Sequence, residues 1–76
     1  MPNKPPRITG EEAIKAFCRA GYYLDRINGS HHILKHPCKR ERLSIPVHKG
    51  SILGIGLLCT QIKIAGMTIE QFNNLL

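Results

Sequence analysis

The hydrophobic and polar positions near the start of the chain follow a helical period. After a proline-rich lead-in over residues 1–8, Thr9 and Glu12 form a Thr-x-x-Glu capping box, which predicts a helix over about residues 10–20. Gly21 is typical of the residue that ends a helix in the left-handed conformation. The apolar stripe that this spacing predicts consists of Ala13, Ile14, Phe17 and Cys18.

From Tyr22 the period changes to two, which is typical of β-strands. Asn28-Gly29 is a strong hairpin signal. We therefore expect a first strand before this turn and a second strand over about residues 31–36, which ends at Pro37.

The polar and basic residues 38–41 predict a loop that leads into a third strand. Pro46 has no amide hydrogen, which places this strand at a sheet edge or ends its pairing there. The buried face of the strand is predicted to hold Leu43, Ile45 and Val47.

Two helical segments follow the strands. Apolar spacing predicts a helix over about residues 57–65, and a Thr-x-x-Gln capping box from Thr68 to Gln71 predicts a short last helix over residues 69–75. The residues expected to be buried by these two segments are Ile55, Leu58, Cys59, Ile62, Ile69, Phe72 and Leu76.

This order of elements, α-β-β-β-α with a short C-terminal helix, predicts one α+β domain over residues 9–76. Three antiparallel strands joined in a meander bury one face of their sheet against helices. We therefore expect the helices to pack on one face of a three-stranded antiparallel sheet and the other face to meet solvent.

The charge balance changes the picture of that open face. The chain has eleven lysines and arginines against five aspartates and glutamates, a formal net charge of +6. Residues 26–49 contain six basic residues, all four histidines and one acid, Glu41. A basic block of this kind is typical of a surface that binds a polyanion such as a nucleic acid, although a solvated face that only aids solubility fits the charge equally well.

The spacing of the cysteines and the length of the apolar segments predict the cellular location of the protein. The three cysteines lie far apart and form no Cys-x-x-Cys pair, which favours a reducing, cytoplasmic location. No apolar segment approaches the roughly 20 residues of a membrane-spanning helix, and the first residues lack the apolar run of a signal peptide. We expect a soluble cytoplasmic protein with no membrane partner.

The second predicted strand carries the candidate chemistry. Because strand side chains alternate, residues 31, 33 and 35 share one face and residues 32, 34 and 36 share the other. Each set contains one aliphatic residue and at least one histidine. Since burying Lys35 would be costly, we predict that His31 and Lys35 face solvent and that His32 packs partly against the helices.

Histidine and RNA together suggest a reaction. A histidine can take and give a proton near neutral pH, and RNA carries its own nucleophile in the 2′-hydroxyl beside each phosphate. A positioned histidine beside a cation could therefore cleave RNA without a metal or cofactor, and neither is expected here. His36, Cys38 and His48 lack the paired spacing of a zinc site, and Cys38 has no evident catalytic partner. The alternative that each histidine is an incidental surface residue stays open at this point.

Three segments form a distinctive combination: Gly-Ser-His-His-Ile-Leu-Lys-His-Pro at residues 29–37, Leu-Ser-Ile-Pro-Val-His at residues 43–48, and Ala-Gly-Met-Thr-Ile-Glu-Gln-Phe at residues 65–72. Together they resemble the HicA toxin family of toxin-antitoxin systems. The resemblance implies a fold like that of the double-stranded-RNA-binding domain. It also implies an endoribonuclease, or mRNA interferase, that arrests translation by cleaving mRNA and is inhibited by a HicB-type antitoxin.

The resemblance assigns the catalytic role to the histidine after the Gly-Ser turn, which is His31. His32 is the alternative if the register shifts by one residue, and His36 or His48 could assist proton transfer. The expected RNA-binding residues are the turn residues and the basic residues that follow, namely Gly29, Ser30, Lys35, Lys39, Arg40 and Arg42.

The expected partners are mRNA, single-stranded or weakly structured, and the antitoxin. A homodimer and a hetero-oligomer with the antitoxin both remain open. Two other interpretations compete with the enzyme: a non-catalytic RNA-binding module, in which the histidines are incidental, and a small basic protein that binds an acidic partner.

Overall fold

The computed structural model describes residues 4–76 and shows an α+β architecture. In chain order its elements are α1 (Gly10–Arg19), β1 (Tyr23–Asn28), β2 (His31–His36), β3 (Lys39–Pro46), α2 (Ile55–Ile64) and α3 (Ile69–Asn73). The predicted order of elements and the predicted fold class are therefore confirmed. The lead-in expected over residues 1–8 lies partly outside the described residues.

The three strands form one antiparallel sheet in the order β1-β2-β3, with β2 in the centre. The strand that contains Pro46 is thus at a sheet edge, as its missing amide hydrogen predicted. The first helix begins at the predicted capping box, in which the Glu12 amide donates to the Thr9 hydroxyl over 3.2 Å and the Thr9 amide donates to Glu12 Oε1 over 3.0 Å.

A tight turn sets the register of the first hairpin. Asn28 pairs with His31, so the two turn residues are Gly29 and Ser30, one position later than the Asn28-Gly29 signal indicated. Gly29 has a φ of 63°, and a glycine with positive φ at the first central position is the pattern of a type II′ turn. This register determines on which face of the sheet each side chain of β2 lies.

The second hairpin corrects the predicted loop. Residues 38–41 are not a loop, because β3 already begins at Lys39 and the turn consists of Pro37 and Cys38. The backbone of Lys39 pairs with that of His36. The first residues of β3 are exposed, so their charged side chains remain in water while their backbone pairs, and polarity alone did not reveal the strand.

The core lies between the helices and one face of the sheet. Leu34, Leu43 and Ile45 are fully buried on that face, which we call the inner face. From the helices, Phe17 and Phe72 meet with ring centroids 4.9 Å apart. Leu34 therefore confirms that the set of residues 32, 34 and 36 faces the helices.

Some residues of the predicted helical stripes lie elsewhere. Ala16 is buried on α1 while Cys18 is exposed, so the buried stripe is rotated away from Cys18. Ile55 and Leu76 are also exposed and not buried as predicted. Ile55 is the first residue of α2, and Leu76 lies beyond α3, which ends at Asn73 and not near residue 75.

The second long helix starts two residues earlier than predicted. Gly54 is its extended N-cap, and the Leu58 amide donates to the Gly54 carbonyl over 3.0 Å. Gly56 therefore lies inside the first turn, where its low helix propensity is tolerated because Leu58 and Ile62 anchor the same helix in the core.

The helices pack mainly against β3 and leave β1 uncovered. Gln61 Oε1 accepts a hydrogen bond of 3.1 Å from the Ser44 amide, and Lys39 Nζ donates to the Ala65 carbonyl over 2.8 Å. Both bonds join α2 or its C-terminal end to β3. Every residue of β1, by contrast, is exposed.

The difference between the two faces of β2 can be measured by truncation. We expect Leu34→Ala to lower the free energy of unfolding by about 2–5 kcal/mol, because a fully buried leucine leaves a cavity. The neighbouring Ile33→Ala should cost clearly less, because Ile33 is only partly buried on the other face. Urea denaturation of both variants checks this, and equal losses would contradict the assigned faces.

Candidate nucleic-acid interface

The face of the sheet that is turned away from the helices, here called the outer face, carries the candidate site. Residues that pair directly across antiparallel strands lie on the same face. The row that contains His31, Ile33 and Lys35 is therefore flanked by side chains from both neighbouring strands, and none of the nine is buried. The paired residues are Asn28, Arg26 and Tyr23 on β1 and Pro46 and Ser44 on β3. The register of β3 against β2 shifts between Leu34 and His36, and Arg42 joins this face by the alternation of β3.

His31 is exposed at the turn end of this face, between Asn28 and Pro46. The predicted solvent orientation of His31 is thus confirmed. The Val47 amide donates to the Ser30 carbonyl over 2.8 Å, so the chain stays beside the turn after β3 ends. The next residue, His48, is exposed and lies near the same end of the sheet as His31.

Lys35 lies further along the same face and has an acidic neighbour. The register of β1 shifts between Leu24 and Arg26, which makes Asp25 the extra residue of a β-bulge. Asp25 Oδ2 lies 3.8 Å from Lys35 Nζ and 3.9 Å from Arg26 Nε. Exposed ion pairs of this kind contribute little to stability, so a phosphate could replace the carboxylate at low cost.

His32 and His36 are half-buried on the inner face. His32 Nδ1 lies 3.4 Å from the Ser30 carbonyl oxygen, and its backbone pairs with that of Ile45. Its side chain is therefore directed away from the basic residues of the outer face.

His36 has a full set of intramolecular contacts. Its Nδ1 accepts a hydrogen bond of 3.0 Å from the Cys38 amide, so Nε2 carries the hydrogen and donates to the Ala20 carbonyl over 3.2 Å. The ring also meets the edge of Tyr22 with centroids 5.0 Å apart. These contacts join the second hairpin to the end of α1. His36 therefore has a structural role.

The sequence matches a known protein family over most of its length. The model of the HicA toxin of bacterial toxin-antitoxin systems matches residues 10–67, which is more than half of the chain. The chain belongs to the HicA toxin family. A search of curated proteins found no match. The matched range confirms the resemblance noted in the sequence and includes the whole sheet of this HicA chain.

The basic residues of the HicA chain divide between two sides of the sheet. Lys39 donates to the C-terminal carbonyl end of α2, where a cation also meets the negative end of the helix dipole. Arg42 is exposed and follows the alternation of Ser44 and Pro46 onto the outer face. Arg40 is exposed as well. Arg42 thus shares the outer face with Lys35, whereas the ammonium of Lys39 lies on the helix side.

Sequence reasoning missed the contribution of β1 to the outer face. Simple alternation separates Tyr23 from Arg26 by an odd number of residues and places them on opposite faces. The bulge at Asp25 restores both to the outer face, because Tyr23 pairs with Lys35 and Arg26 pairs with Ile33. Counting back from the turn finds Arg26 and Asn28, but no signal in the sequence locates the bulge.

Tyr22 is buried in the core. Burial raises the pKa of the Tyr22 hydroxyl above its ordinary value of 10.0, and the carboxylate of Glu41 adds to the shift.

Residues 4–76 contain no group of three or more histidine, cysteine, aspartate or glutamate side chains that could hold a metal ion. Within the same range, no helix has both the length and the apolar character of a membrane span.

The contrast between two histidines gives a test of their environments. His36→Ala should lower the free energy of unfolding by roughly 1–3 kcal/mol, because it removes two hydrogen bonds and leaves the Cys38 amide without its side-chain acceptor. His31→Ala should change it by no more than about 0.5 kcal/mol, as is usual for an exposed side chain. Denaturation curves of the two variants decide this, and a larger loss for His31→Ala would contradict the contacts described.

Proposed function

We propose that this HicA-family toxin is an endoribonuclease that cleaves mRNA on its outer face and that His31 is its general acid or base. The observation that carries the proposal is the location of His31. It is exposed on the same face as three basic residues, whereas His32 and His36 are engaged on the inner face. The basic residues on that face are Arg26, Lys35 and Arg42.

The reaction uses the nucleophile that RNA itself supplies. A base removes the proton of a 2′-hydroxyl, the 2′-oxygen attacks the adjacent phosphorus, and the bond from phosphorus to the 5′-oxygen breaks. The departing 5′-oxygen receives a proton, which leaves a 2′,3′-cyclic phosphate and a 5′-hydroxyl. His31 performs one of the two proton transfers, and water or His48 at the same end of the sheet performs the other. No metal ion takes part in this scheme.

The spacing of the strand separates catalysis from binding. Lys35 is four residues from His31, about 13 Å at roughly 3.3 Å per residue. Its ammonium therefore holds another phosphate of the same RNA strand and not the one that is cleaved. Close to His31, the backbone at Gly29 and Ser30 and the side-chain amide of Asn28 are sources of donors for the charge that develops on the phosphate. With so few groups at the reacting phosphate, we expect a slow enzyme.

The family assignment supports a protein partner as well. A toxin of a toxin-antitoxin system requires an inhibitor, and we propose that it is a HicB-type antitoxin that covers the basic outer face in the cytoplasm. A net charge of +6 favours association with an acidic surface, through both the rate of encounter and the affinity.

The catalytic assignment predicts a loss of rate without a loss of binding. His31→Ala should slow single-turnover cleavage of an unstructured RNA by roughly 10²- to 10⁴-fold, the usual contribution of a general acid or base. Its RNA affinity should stay within a few-fold of the wild type, because the cations remain in place. Gel analysis of end-labelled RNA measures the rate, and anisotropy with a non-cleavable RNA measures the affinity.

His32→Ala is the matched control, since the neighbouring histidine lies on the inner face. It should retain cleavage. Cleavage by His31→Ala at the wild-type rate would exclude the catalytic role of His31, and loss of cleavage in His32→Ala alone would move the role to His32. RNA binding without cleavage by the wild type would favour a non-catalytic RNA-binding module.

Phosphate contacts predict a dependence of affinity on salt. Replacing Arg42 by Gln should weaken RNA binding and reduce the slope of log affinity against log salt by about 0.7, the value for one phosphate contact to a single strand. Lys39→Gln should change the slope less, because the Lys39 ammonium already donates to the Ala65 carbonyl. Anisotropy titrations at several salt concentrations measure both slopes, and a larger change for Lys39→Gln would place RNA on the helix side.

A further inference from the structure

One aromatic side chain remains without a role in the fold. The described residues include all four aromatic residues of the chain, and three of them, Phe17, Tyr22 and Phe72, are buried. Tyr23 is 49% exposed. Exposure of a single apolar side chain is common and carries no conclusion by itself, so its neighbours decide whether it could bind a ligand.

Tyr23 shares the outer face with two cations, Lys35 and Arg26, which have the carboxylate of Asp25 as their neighbour. Tyr23 pairs directly with Lys35 across the sheet, and the bulge at Asp25 places it on the same face as Arg26. The other exposed apolar residues of β1, Leu24 and Ile27, pair with Leu34 and His32 and so lie on the inner face. Tyr23 is therefore separate from that apolar surface and stands among groups that suit phosphates.

We propose that Tyr23 is a base-stacking subsite for single-stranded RNA, in which an unpaired base lies on the tyrosine ring while Lys35 holds an adjoining phosphate. An exposed ring beside cations is the arrangement that binds single strands, because every base has a π-face and every linkage has a charge. A duplex cannot use the ring in this way, since its bases are already stacked and paired. The proposal rests on the proposed function of the outer face and specifies its substrate.

Geometry limits which base can reach the ring. Tyr23 lies beside Lys35, about 13 Å from His31 along the strand at roughly 3.3 Å per residue. A stacked strand advances about 3.4 Å per nucleotide, so some four nucleotides span this distance, and fewer do in an extended strand. The stacked base should therefore lie within about four nucleotides of the cleaved bond.

The first experiment measures binding of a short unstructured RNA with a 2′-deoxy nucleotide at its cleavage position, which the wild-type enzyme identifies on the unmodified RNA. Tyr23→Leu should bind about 5- to 150-fold more weakly than the wild type, the range for loss of one stacked base. Tyr23→Phe should bind within a few-fold of the wild type, because it keeps the ring. Ile27→Ala is the control on the inner side of the same strand and should bind normally.

The second experiment locates the stacked base. An abasic nucleotide is placed in turn at each of the four positions on either side of the cleavage position. One position should weaken binding to the wild type as much as Tyr23→Leu does, and it should cause no further loss in Tyr23→Leu. Independent, additive losses at every position, or an equal effect of Tyr23→Leu on single-stranded and blunt duplex RNA, would overturn the subsite.

The two proposals fail in different ways. Normal RNA binding by Tyr23→Leu, together with cleavage that depends on His31, would remove the subsite and leave the nuclease. Cleavage that does not depend on His31, together with the predicted abasic pattern, would remove the catalytic assignment and leave the subsite. Absence of RNA binding by the wild type would overturn both.

Discussion

Burial of Leu34 against the helices is the constraint on which the remaining features of the sheet depend. Together with Leu43 and Ile45 it directs one face of β2 inward, and the alternation of a strand then leaves His31 and Lys35 on the other face. A slip of one residue would expose the leucine and bury the lysine, so the hydrophobic core resists it. The core thus determines which of the three histidines of β2 faces solvent, although none of the three is a core residue.

The helices cover the sheet unequally, so its basic residues have different surroundings. The helices lie over β3, where Gln61 satisfies the amide of Ser44 and the ammonium of Lys39 meets the carbonyl end of α2. The charge of Lys39 is therefore used within the fold. Away from them, Arg26 and Lys35 lie beside the carboxylate of Asp25, a partner that a ligand could replace.

Local signals predicted local structure well, whereas long-range pairing required the coordinates. The box of Thr9 and Glu12 located the start of α1, and the cost of burying Lys35 identified the solvent face of β2. The bulge at Asp25 could not be foreseen, because it depends on how β1 fits β2 and not on the residues of β1 alone. For the same reason the membership of Tyr23 in the outer face became evident only from its pairing. The early start of β3 was hidden by charged residues that an exposed strand end tolerates.

Under the proposed function, Asp25 competes with RNA for the cations of the outer face. Its carboxylate already interacts with Lys35 and Arg26, so an incoming phosphate gains only the difference between two ion pairs. A mononucleotide or a very short fragment obtains little from that exchange, whereas a long strand gains additional contacts with Arg42 and with the tyrosine ring. Under the proposed function, this arrangement discriminates by polymer length, and it favours release of short cleavage products, since the carboxylate returns to the lysine as they leave.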